Sequence, residues 1–182
     1  VARLGIGAWA GWDNPGGGTA GDATVVLKPL HEIHIDIVER EPAVVVRTLA
    51  DNLLADSDGF LLAHLGSADD PTLPMLSGVD GKRLVQGKPD DRRPVQVGAA
   101  LARMVGQTTG GRPDINVGHL NNLVVEVQGV TFQFSESSMN QQWYRFLKMR
   151  PALRDVAFDG EGARANEIDL RFADRVIVRG RG

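Results

Sequence analysis

Apolar side chains recur at every second position on both sides of one glycine in the last third of the chain, and that period belongs to paired strands. Leu123, Val125 and Val127 lead into Gly129, and Val130, Phe132 and Phe134 lead away from it. A period of two puts each set on one face of a strand, and the short glycine-containing link folds the two into a hairpin. The next segment changes period. Met139, Trp143, Phe146 and Leu147 form one helical stripe, and a stripe of this kind faces a core. The run Ser138-Met139-Asn140-Gln141 fits a capping box, Lys148 and Arg150 suit the negative end of the helix, and Pro151 stops it. After a loop at 159–166, Ile168, Leu170 and Phe172 alternate, and Val176–Val178 reads as a last strand. Strand, strand, helix, strand, strand describes an α+β unit built on an open sheet.

Upstream, the pattern is broken into shorter pieces. Residues 13–22 are a loop by composition, with glycine at 16, 17, 18 and 21, and no period emerges before them. Ala23–Leu27 and Glu32–Arg40 read as strands of an antiparallel hairpin around Pro29–His31, with Ile33, Ile35 and Ile37 on one face. Val44–Val46 adds a short extended piece. Residues 66–94 and 106–118 are rich in turn-forming residues, with an apolar island at Leu73–Leu76 in the first of them. Between these segments Val97, Leu101, Met104 and Val105 predict a helix that begins at Pro94 and ends at Gly106.

Composition narrows the classes of function. The chain has 182 residues, a net charge of −3, 24% charged residues and no cysteine. Disulfides, thiol catalysis and thiolate metal sites are therefore excluded. The charge is uneven: residues 1–141 carry 11 basic against 17 acidic side chains, and residues 142–182 carry 9 against 6. The basic excess is local and mild, so no field for nucleic acid is present. No run approaches the roughly 18 apolar residues of a membrane span. The sequence begins at Val1 rather than methionine, as a fragment or processed form would.

Candidate chemistry is sparse. Gly16-Gly17-Gly18-Thr19-Ala20-Gly21 matches the letters of a dinucleotide-binding motif, but that motif needs a strand before it and a helix after it. Here a loop precedes and a strand comes after. His31-Glu32-Ile33-His34 lacks the histidine spacing of a zinc-protease helix, because Ile35 stands where the second histidine belongs. Glu32, His34 and Asp36 share a strand face and form one candidate ligand set against a plain solvated face. With the acidic 51–91 segment they would suit a metal- or small-ligand-binding hydrolase. Asp56, Asp58, Asp69 and Asp70 stand in turn contexts that turn chemistry accounts for. His64 and His119 are isolated, and neither a nucleophile elbow nor a phosphate loop occurs. No catalytic constellation assembles. What the pattern does leave is an edge: a last strand at Arg175–Arg179 carries unpaired backbone groups. The flanking Arg175, Arg179 and Arg181 fit either protection against aggregation or selection of an acidic partner strand.

The last third resembles the extracytoplasmic region of the FtsQ/DivIB family of bacterial cell-division proteins. The matching features are hairpin 122–134, helix 139–150 with Trp143-Tyr144-Arg145-Phe146-Leu147, the break Pro151-Ala152-Leu153, and Ile168-Asp169-Leu170-Arg171-Phe172 before a terminal apolar strand. Ile37-Val38-Glu39-Arg40-Glu41-Pro42 is similar to the strand closing that family's first domain, the POTRA domain. Asp58-Gly59-Phe60 and Leu73–Gly78 are similar to the opening of its second, β domain. The chain departs from the family at residues 1–22, at Ser135–Ser138 and at Gly180-Arg181-Gly182.

The resemblance implies an α+β protein with a POTRA-like piece over 1–47. A mixed or antiparallel β domain over 48–182 would come next, with helices on one face. It further implies a non-catalytic septal scaffold without cofactor or metal, held in the cell inner membrane by one upstream helix. Its partners would be division proteins of the FtsB/FtsL type, bound by strand addition. Carried over by position, the partner-binding residues are Arg171, Phe172, Val176, Ile177 and Val178. Phe172 suits a core position equally, and Arg171 suits the outward face of the alternation. An unrelated POTRA-bearing envelope assembly protein is a further alternative.

Overall fold

The computed structural model describes residues 2–3, 20–28, 32–66, 72–153 and 165–180. The chain divides into two compact units, residues 1–42 and 43–182.

In the first unit β1 (Ala2–Arg3), β2 (Ala20–Lys28) and β3 (Glu32–Glu39) form a three-stranded sheet in that order. The β2–β3 hairpin is antiparallel, with Val25 opposite Ile35 and Lys28 opposite Glu32. Strand β2 starts three positions before the expected Ala23, inside the glycine-bearing segment, because backbone pairing to β3 extends to Ala20. Residues 13–19 of the expected loop, Gly16–Thr19 of the glycine motif and His31 lie outside the described residues.

The second unit is a nine-stranded mixed sheet. In chain order its elements are β4 (Val44–Arg47), β5 (Asn52–Ala55), β6 (Leu61–His64) and β7 (Met75–Ser77). Helices α1 (Gly81–Gln86) and α2 (Pro89–Thr109) come next, followed by β8 (Asp114–Asn116), β9 (Leu123–Val127) and β10 (Val130–Phe134). Helix α3 (Met139–Met149), β11 (Ala165–Asp169) and β12 (Ile177–Gly180) complete it. Across the sheet the order is β12-β11-β10-β9-β8-β7-β4-β5-β6, so β12 and β6 are its two edges. Pairs β4–β7, β7–β8 and β10–β11 are parallel and the remainder antiparallel. The crossover from β7 to β8 runs through α1 and α2, and that from β10 to β11 through α3. Strand β4 is third from the β6 edge of this sheet, paired with both β5 and β7, and the division between the units falls at Pro42–Ala43, just before the expected boundary at 47/48.

The register explains the core. Val46, Leu76, Ile115, Val125, Phe132 and Ile168 stand in one row across six neighbouring strands, and all six are buried. Helices α2 and α3 cover that row. Leu101 and Val105 of α2 and Trp143 and Phe146 of α3 join the same buried cluster. Gly98 of α2 is needed for the approach, since a Cβ there would lie 2.8 Å from both Leu76 methyl carbons. Phe132 is the hub of the α3 side, with ring centroids 5.5 Å from Trp143 and 5.3 Å from Phe146 in edge-on geometry. Each such aromatic contributes about 1.5–3 kcal/mol by burial.

The hairpin expected around Gly129 is present, with Val127 opposite Val130. Its two-residue link has φ of 50° at Gln128 and 78° at Gly129, the left-handed pair that matches strand twist. Three other expectations are corrected. Helix α2 begins at Pro89 rather than Pro94 and runs past Gly106 to Thr109. Both prolines suit a helix start, but Pro89 is followed by Asp90 and Asp91, which stabilise the positive end. Gly110, at φ 69°, ends the helix by donating its N–H to the Gly106 carbonyl. The loops expected at 66–94 and 106–118 contain β7, α1 and β8. Finally, the capping box at Ser138 and Gln141 does not form. Gln142, only 2% exposed, takes over by accepting from the Ser135 N–H and donating to the Ser138 hydroxyl.

Candidate functional site: the C-terminal sheet edge

Strand β12 has β11 on one side and no strand on the other among the described residues. It is antiparallel to β11, with Ile168 opposite Val178 and Asp169 opposite Ile177, and with an irregularity between Ala165 and Glu167. Alternation therefore puts Val178 on the helix-covered face beside buried Ile168, and Ile177 on the other. Val178 is nevertheless 38% exposed, so the apolar face continues to the rim of the sheet. Val176, on the same face as Val178, packs against the core from its margin.

The segment between β11 and β12 is built around charges. The Arg171 guanidinium grips Asp169 from both sides, Nε to Oδ1 at 2.9 Å and Nη2 to Oδ2 at 2.7 Å, while Nη1 donates to Asn122 Oδ1 at 2.9 Å. The Asp169 side chain is 3% exposed and that of Arg171 35%. A buried carboxylate needs such a partner. These hydrogen bonds hold the Asp169 carboxyl below the usual carboxylate range, against the opposing effect of burial. Glu167 is the centre of a second tie, accepting from Gln133 Nε2 at 2.6 Å and from Arg179 Nη1 at 2.5 Å. Phe172 is half-buried, and the Arg175 guanidinium lies 4.9 Å from its ring centroid. From α3, Arg145 reaches the backbone of this segment. Its Nη1 donates to the Ala173 carbonyl at 2.6 Å, and its Nη2 to those of Leu170 at 2.8 Å and Phe172 at 2.5 Å.

The five residues expected to contact a partner thus fall into different settings. Val176, Ile177 and Val178 belong to the edge itself or its approach, whereas Arg171 and Phe172 occupy the connection and make internal contacts. Arg145, Asp169, Glu167 and Asn122 do not stand out as site residues in the sequence. One signal was available: Asp169 and Arg171 are two positions apart in an extended segment, which sets their side chains next to each other on one face.

Glu32, His34 and Asp36 lie opposite Lys28, Val26 and Thr24 in the β2–β3 ladder. Among the described residues no group of three or more metal-ligating side chains converges. Asp69 and Asp70 lie outside the described residues. A groove of about 1120 Å³ beside β6 is lined by Leu53, Leu61, Val79 and Val85. Its polar groups have structural work: Asp80 caps α1 through the Lys82 and Arg83 N–H groups, and Asp51 Oδ2 pairs with His64 Nδ1 at 2.5 Å. Asp56 Oδ1 accepts from the N–H groups of Asp58 and Phe60 and so shapes the β5–β6 turn. Among the described residues no helix is long and apolar enough to cross a membrane.

Comparison with protein-family models and with curated proteins finds no match to this chain.

Proposed function

We propose that this chain is the extracytoplasmic part of a bacterial division scaffold of the FtsQ/DivIB type. It acts without catalysis by accepting a partner strand on β12. The observation that carries this reading is the position of β12 as a terminal strand with one neighbour among the described residues. A free strand edge offers main-chain hydrogen bonds for affinity and alternating side chains for specificity, so a site of this kind needs no convergent titratable groups. Val178 supplies an apolar contact on one face, and Arg175 and Arg179 supply positive charge beside it. The partner is a division protein of the FtsB/FtsL type. In this reading the first unit is POTRA-like, its β2–β3 hairpin corresponding to the strands that close such a domain. The parent protein sits in the cell inner membrane through one helix upstream of Val1, with this region outside the cytoplasm.

The test is deletion of residues 174–182, read by calorimetry against the extracytoplasmic coiled-coil segment of an FtsB-type protein. Binding should vanish while the far-ultraviolet circular dichroism of the remaining fold is kept. Binding at wild-type strength would end the strand-addition reading. Ile177→Pro, which removes one backbone donor from the short edge strand, should weaken the same interaction without abolishing the fold.

A further inference from the structure

We propose that Arg145 is the positioning residue of the β12 edge: from α3 it clamps three carbonyls of the connection that delivers the strand. The effect on partner binding rests on the strand-addition reading above; the effect on the edge itself does not.

A four-residue strand with a single neighbour is at the low end of local stability and would fray by itself. The connection before it, Leu170 to Val176, has no regular structure, and its carbonyls need donors. Arg145 provides them to Leu170, Phe172 and Ala173 at once. A planar fork presents these N–H groups in a fixed array, whereas an ammonium is a compact point charge on a flexible stem. The clamp is itself rigid. Trp143 and Phe146, on the same helix, are in the core, which fixes the backbone from which Arg145 extends. Among the described residues its Nε is buried without a hydrogen-bond partner, so the clamp rests on the two Nη groups, whose charge-assisted bonds are the strong ones. Arg145 thus fixes the chain just before β12, and the Arg179–Glu167 pair fixes it within the strand. An edge ordered in advance does not have to be ordered on binding, which raises affinity without any contact to the partner.

Hydrogen exchange on the full 182-residue chain tests the clamp directly. In Arg145→Met the amides of Ile177–Gly180 should exchange about tenfold faster or more, with those of β9 and β10 unchanged. Arg145→Lys, which keeps the charge but not the fork, should fall between and guards against a methionine variant that fails to fold. Equal acceleration across β9, β10 and β12 would make Arg145 a general stabiliser and overturn the positioning role, as would unchanged exchange at Ile177–Gly180 in both variants. The second arm titrates each variant with the FtsB-type coiled-coil segment, and about a tenfold weaker Kd is expected for Arg145→Met. If the wild-type chain does not bind, the partner reading falls and the exchange result still decides the clamp. If exchange accelerates but affinity stays the same, the clamp has no part in docking.

Discussion

At one end of the nine-stranded sheet, β12 is reached through a connection whose carbonyls are gripped by an arginine from α3. At the other end, β6 is reached through a turn built by its own side chains. There Asp56 bonds the N–H groups of Asp58 and Phe60, and the Arg92 guanidinium of α2 stacks 3.7 Å from the Phe60 ring centroid. Gly59, at φ 79°, lets the turn lie against Arg92, where a Cβ would approach to 2.8 Å. The two edges show different divisions of labour. Where the main chain is held, the positions of the connection and strand outside the Asp169–Arg171, Glu167–Arg179 and Phe172–Arg175 contacts are left free to vary. Where side chains make the turn, their identities are constrained. A strand offered for recognition is better served by the first arrangement, because specificity can change without loosening the edge.

Four variants would break or sharpen this contrast. The largest effect is expected for Arg171→Ala, which strands the buried Asp169 carboxylate. The loss should be about 2–3 kcal/mol in urea denaturation, and Asp169→Asn should be milder. The pair also sets an acid limit. Because the folded-state pKa of Asp169 is depressed, its contribution is present above the unfolded value and is lost as pH falls through the folded one. Wild type should therefore weaken on acidification below about pH 4, and Asp169→Asn should lose less over the same range.

Next is Asp56→Ala at the opposite edge, expected to cost about 1–2 kcal/mol and to speed amide exchange at Leu61–His64 while sparing β12. Equal acceleration at both edges would show that they are not independently held. The smallest effect is expected for His64→Ala. Although Asp51 is held below the usual carboxylate range, first by the Asn52 N–H and then by His64, the pair is exposed, with side-chain exposures of 76% and 49%. Such pairs add little in water, so the urea midpoint should not move measurably.

Legibility from sequence tracks the length of each pattern. Hairpin 123–134 and α3 are readable because each repeats its period several times. Strands β7 and β8 have three residues apiece, too few for any period, and exist because neighbours on both sides pair with them. Helix α2 reads too short because Pro94 and Gly106 mark helix ends locally, whereas Pro89 with Asp90 and Asp91 opens the helix and the left-handed Gly110 closes it. At the candidate site the last strand is visible as an apolar run flanked by arginines. The Arg145 clamp is not, since by helical period that residue reads as solvent-facing and its partners lie 25 to 28 positions away.

The parallel pairing of β10 with β11 has a consequence for how the edge comes into being. Parallel strands need a crossover, here through α3, and closing that long loop precedes the pairing of β11 with β10. Among the described residues strand β12 pairs with β11 alone, so it joins the large sheet only together with β11, once the crossover has closed. If β12 receives a partner strand as proposed above, the apolar face that continues to its rim is complete only once that crossover has closed.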